Sequence, residues 1–142
     1  MILTTWTPWA AAAAFAFFAA YSLLRGSTRT RSSWLFPAGL SAAFALFSLQ
    51  AVIAEGPMGF WPEHTRNLWG NQIWFDLLLA VGIGWFLIVA QARAQGMRLP
   101  LWLVLIACTG CIGFLAMLSR LLYLQARTAD SEPRIPPTRR SL

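Results

Sequence analysis

Long uncharged runs recur along this chain, separated by short polar breaks that collect its arginines. From Trp6 to Leu24 no side chain carries a charge, and Arg25 closes the run. A second run extends from Trp34 to Ala54 and stops at Glu55 and Gly56. A third covers Asn71 to Ala92, and a fourth runs from Leu99 to about Leu124 with Arg120 in its last turns. A spanning helix needs roughly 20 apolar residues, so the pattern predicts four transmembrane helices over about 6–24, 34–54, 71–92 and 99–124. The segment from Pro57 to Gly70 mixes Glu63, His64 and Arg66 with Phe60, Trp61 and Trp69. It is too short and too polar to span and suits an interface. Residues 125–142, with Pro133, Pro136, Pro137, Arg139 and Arg140, hold too little apolar surface to fold and read as a disordered basic tail.

Pro8, Pro37 and Pro100 stand in or beside the first turns of these helices, where a missing N–H breaks no helical hydrogen bond. Of the eight Trp, all but Trp85 fall near a helix end or in the long loop, as rings seeking the headgroup level should. Soluble helices would each show a polar stripe, which these runs lack. A cleaved signal peptide would open with a basic segment, but nothing from Met1 to Leu24 carries a side-chain charge, so the first run reads as a retained span. The expected fold class is all-α, an integral membrane four-helix bundle of one domain over residues 1–124.

Composition agrees: 58% of residues are hydrophobic and 11% charged, mean hydropathy is +0.58, and soluble domains carry about 25% charged residues. The net charge of +6 comes from arginines flanking the apolar runs rather than lining one face, which argues against nucleic acid as a partner. Orientation is nearly balanced. The two short links hold Arg25, Arg29, Arg31, Arg93 and Arg98, and the opposite side of a four-span topology holds Arg66, Arg120, Arg127 and Arg134. The links carry no acids, which favours placing them in the cytoplasm and both termini in the periplasm.

Asp76 lies inside the third run, and a carboxylate at membrane depth costs several kcal/mol, so it is expected to face the bundle or a wet cavity. Gln72 precedes it by one turn with Asn71 beside it, and Ala80 and Gly84 continue that line as small residues suited to close helix contact. If the last run crosses the membrane, Arg120 returns to the side of Asp76 and can pair with it. Glu55, Glu63, His64 and Arg66 would gather at the same end. Such a cluster reads either as an ion, proton or headgroup site or as a pair that locks the hairpin.

Cys108 and Cys111 form a C-x-x-C motif that is similar, at those residues alone, to quinone-linked thiol oxidoreductases of the disulfide-forming and vitamin K epoxide reductase type. Those enzymes relay electrons through a second cysteine pair, and this chain has two cysteines in all. Placed mid-helix, either thiolate would be poorly solvated. Gly110 and Gly113 beside them point to helix packing instead. His64 is the only histidine, which excludes bis-histidine haem within one chain, and no Walker loop, Rossmann glycine pattern or zinc spacing occurs. No cofactor and no metal is expected. Four-helix drug exporters of the small multidrug type work around a glutamate in their first helix, which here has no acid.

The run Gly-Asn-Gln-Ile-Trp-Phe-Asp-Leu-Leu-Leu-Ala, the link Ala-Arg-Ala-Gln-Gly-Met-Arg and the later Gly-Cys-Ile-Gly, all within residues 67–127, resemble small uncharacterised bacterial inner-membrane proteins. The resemblance implies a multi-pass inner-membrane location, with Asp76, Arg93, Arg98, Gly110 and Gly113 at the recurring positions, and it implies no activity. The leading expectation is a non-enzymatic accessory or structural component that associates with lipid, with other membrane proteins or with further copies of itself. A small transporter or lipid or isoprenoid binder using Asp76 and Arg120 comes second, and a membrane thiol oxidoreductase or isoprenoid enzyme third.

Overall fold

The computed structural model describes residues 2–25 and 32–131, all of its regular structure being helical. Two compact units divide the chain, residues 1–30 and 31–142. The first contains helix α1 (Ile2–Arg25). Pro8 lies inside it rather than in its first turn, so it removes one intrahelical hydrogen bond instead of none. The second unit holds α2 (Leu35–Glu55), α3 (Phe60–Thr65), α4 (Leu68–Ala94), α5 (Leu99–Thr109) and α6 (Cys111–Ser131).

Local chemistry sets most boundaries. Gly56, at φ 82°, ends α2, its N–H donating to Val52 O at 2.9 Å. Asn67 caps α4, its side-chain oxygen accepting from Gly70 N at 2.8 Å. At the other end of α4, Gly96 N donates to Arg93 O and Met97 N to Ala92 O, both at 3.0 Å, with Gly96 at φ 69°. That pair of bonds is a Schellman motif, and Met97 packs back toward Ala92 as the motif requires.

The helix expected over 99–124 is not continuous. At Gly110 (φ 57°, ψ −125°) the chain turns, and α6 folds back along α5. A Cβ on Gly113 would lie 2.9 Å from Leu105 O, although eight residues of straight helix would separate those levels by about 12 Å. Only glycine adopts the Gly110 conformation without strain. Thr109 stitches the corner, its Oγ1 donating to Leu105 O at 2.6 Å and accepting from Gly113 N at 3.0 Å. The expected tail also begins later, since α6 carries helix through 125–131; residues 132–142 lie outside the described region.

α6 is the central helix, with α2, α4 and α5 all packed on it. It runs antiparallel to α2: Ser119 Oγ donates to Trp34 O and Ser41 Oγ to Ile112 O, both at 3.0 Å. It runs parallel to α4, as Gly84 faces Phe114 and Gln91 meets Gln125. Ala92, Ile106, Met117 and Leu121 form the buried cluster, with Val81, Trp85, Ile88 and Phe114 around it. α5, about 16 Å long at 1.5 Å per residue, reaches only to about the middle of α4, itself about 40 Å long. Two helices among the described residues, α2 and α4, are long and apolar enough to cross a membrane.

Candidate functional site

The reversal at Gly110 sorts the polar residues of the second unit between two ends. One end carries α3. His64 Nδ1 lies 2.6 Å from Phe60 O, and its ring stands edge-on to Trp74 with centroids 4.8 Å apart. Phe60 stacks on Trp74 at 6.0 Å, so α3 is held to the first turns of α4 through aromatic faces. Arg66 pairs with Glu63 at 2.9 Å on the surface, a contact of little energetic weight. Glu55 is exposed at the end of α2. The loop residues Glu63, His64 and Arg66 do come together here, as local contacts within one short helix and its end.

Asp76 does not face the bundle. The packed face of α4 runs through Gly70, Trp74, Leu77, Val81, Gly84, Ile88 and Ala92. Asp76 is two residues past Trp74, about 200° around the helix, and is exposed together with Asn71, Gln72 and Ala80. Gly84 belongs to the opposite, packed face. The expected pairing of Asp76 with Arg120 is not made either. Arg120 precedes Leu121, which packs with Ala92, and Asp76 is about 24 Å from Ala92 along α4. The turn at Gly110 is the physical reason: it returns α6 to the end from which α5 started.

That other end gathers Arg93, Arg98, Arg120 and Arg127. There the α4–α5 link, α5 and α6 enclose an open groove of about 440 Å³. Gln95, Gly96, Met97 and Arg98 form its rim, Leu101, Trp102 and Leu105 one wall, and Arg120 and Leu124 the other. Arg120 lies 5.6 Å from the Tyr123 ring centroid, a cation–π contact that steadies the guanidinium without neutralising it. Among the described residues no carboxylate pairs with Arg98 or Arg120. Gln95 receives Thr128 Oγ1 on its Oε1 at 3.3 Å, which leaves its amide N–H groups to donate. The groove thus combines two guanidiniums and an amide donor with an aliphatic and indole wall, a composition matched to an anionic group on an apolar body.

Cys108 and Cys111 flank the corner, one exposed and one half-buried, both as free thiols. They sit at the α5–α6 turn rather than inside a continuous helix. Among the described residues no group of three metal-ligating side chains forms. No family model, no curated protein and no solved structure matches the chain.

Sequence reasoning missed Gln95, Trp102 and Leu124 as site residues and treated Arg98 only as a flanking charge. The one partial signal was Gly110 with Gly113 after the apolar run that opens with Leu99 and Pro100, a pattern that fits a corner as well as a packed continuous helix.

Proposed function

We propose that this chain is a multi-span protein of a bacterial inner membrane with a non-enzymatic, accessory role, associating with lipid and with other membrane proteins through its outward apolar faces. One observation carries the reading: none of the most apolar stretch of α4 is buried, and only 6% of that of α2 is. The core helices of a soluble protein would turn those faces inward. Trp69 and Arg93 stand about 36 Å apart along α4, which suits an aromatic and a basic anchor on either side of a roughly 30 Å hydrocarbon core. The corner at Gly110 is compatible with membrane depth because its backbone groups find partners: Gly110 N donates to Ile106 O at 2.7 Å, Gly113 N to Thr109 Oγ1 at 3.0 Å and Phe114 N to Gly110 O at 3.1 Å.

The arginine distribution supports a definite orientation. With α5 and α6 entering and leaving by one side, Arg93, Arg98, Arg120 and Arg127 stand at one end of the second unit and Arg66 at the other. The basic end is then cytoplasmic, and α6 leaves the membrane toward the cytoplasm rather than the periplasm. A transporter that couples Asp76 to Arg120 loses its geometric basis.

The test is extraction and purification. The chain should stay in membranes washed with alkaline carbonate and come out only with detergent. Purified mildly from native membranes, it should carry a fixed protein or lipid complement by mass spectrometry. Release by carbonate alone would end the membrane reading. Steady turnover of a substrate by the purified protein would end the accessory one.

A further inference from the structure

The groove at the basic end has a depth as well as a composition. α5 descends about 16 Å from the link before the chain reverses, and one leaflet of a roughly 30 Å hydrocarbon core is about 15 Å thick. Arg98 opens the groove at the start of α5, and Arg120 faces it from α6. Leu101 and Leu105 continue below Arg98 on successive turns, both exposed. A headgroup-sized charged rim is therefore joined to an apolar track about 10 Å long, from Arg98 to Leu105, which lies within the depth of one leaflet. The volume, about 440 Å³, lies within the range of about 300–1,000 Å³ typical of ligand sites.

We propose that the α5–α6 groove is a binding site for one anionic phospholipid of the leaflet at the basic end, its phosphate held between Arg98 and Arg120. The proposal rests on the membrane reading above. Guanidinium groups pair with phosphate oxygens through two parallel N–H···O bonds, and neither Arg98 nor Arg120 has a described carboxylate competing for that role. Gln95 donates its amide to the phosphate or glycerol oxygens. Trp102 takes the headgroup boundary, and an acyl chain lies along Leu101 and Leu105. A zwitterionic lipid brings its own ammonium to the same rim and is repelled by the paired guanidiniums, so the site selects net negative charge.

The experiment uses the full chain in nanodiscs of phosphatidylcholine with and without phosphatidylglycerol, and counts the lipid retained after detergent release by native mass spectrometry. One phosphatidylglycerol should remain bound, with no phosphatidylcholine in its place, and inorganic phosphate at millimolar concentration should not displace it. Arg98→Gln and Arg120→Gln should each weaken retention about tenfold, and together abolish it. Leu101→Trp, at an exposed position and without change of charge, should also displace the lipid by filling the track. Arg127→Gln, outside the groove, should retain it. Equal retention of phosphatidylcholine, or loss with Arg127→Gln as large as with Arg120→Gln, would overturn the proposal in favour of a diffuse basic surface. Displacement by inorganic phosphate would overturn it in favour of a soluble phosphate site. The carbonate wash separates these results from failure of the membrane reading, which it alone decides.

Discussion

Gly84 of α4 stands directly against the ring of Phe114 in α6: a Cβ placed on Gly84 would lie 2.6 Å from Phe114 Cζ. This approach sets the register of the two parallel helices, two turns before Ala92 on α4 and one to two turns before Met117 and Leu121 on α6. Gly84→Leu should therefore force the ring away and cost about 1–3 kcal/mol, while Gly84→Ala, which displaces only the far end of the ring and gains about 1 kcal/mol of helix propensity, should cost less. Thermal unfolding in one detergent reads both. A Gly84→Leu that left stability unchanged would mean that the helices do not touch here.

Gly110 holds the corner in a backbone conformation that a side chain resists. Gly110→Ala should lower stability by about 1–2 kcal/mol. Thr109→Val, which removes the hydroxyl bridging Leu105 O and Gly113 N, should cost about 1 kcal/mol more than an exposed Thr→Val elsewhere. If α5 and α6 formed one straight helix instead, Gly110→Ala would stabilise it by removing a helix-interior glycine.

Asp76 makes no contact that its removal would break within residues 32–131. Asp76→Leu should leave the unfolding free energy of the purified protein within about 0.5 kcal/mol, because substitutions away from packed or paired groups have small effects. Breaking a buried ion pair with Arg120 would instead cost about 3–5 kcal/mol, so a loss of that size would restore the pairing.

The proposed cytoplasmic placement of the basic end predicts a labelling pattern. In a Cys108→Ser, Cys111→Ser background, Glu63→Cys in intact spheroplasts should react with a membrane-impermeant maleimide. Gln95→Cys should react only after the membrane is opened. A reporter fused after Leu142 should be active in its cytoplasmic form. The opposite labelling pattern would reverse the orientation.

Helical structure, and the place of most helices, can be read from the residues alone, because unbroken apolar runs and the proline and glycine signals at their ends act locally. The runs read as 34–54 and 71–92 emerge as Leu35–Glu55 and Leu68–Ala94, and the Schellman turn at Gly96 lies in the link where the arginines accumulate. The path of the last helix, by contrast, is set by packing between distant segments. Cys-Thr-Gly-Cys within an apolar stretch fits either a packed continuous helix or a corner, and the choice depends on what α2 and α4 offer α6 to pack on: Ser41 and Trp34 on one flank, Gly84 and Ala92 on the other. That single turn moves Arg120 away from Asp76, gathers the arginines at one end and builds the groove. Such long-range packing leaves no periodic mark in the residues that take part in it.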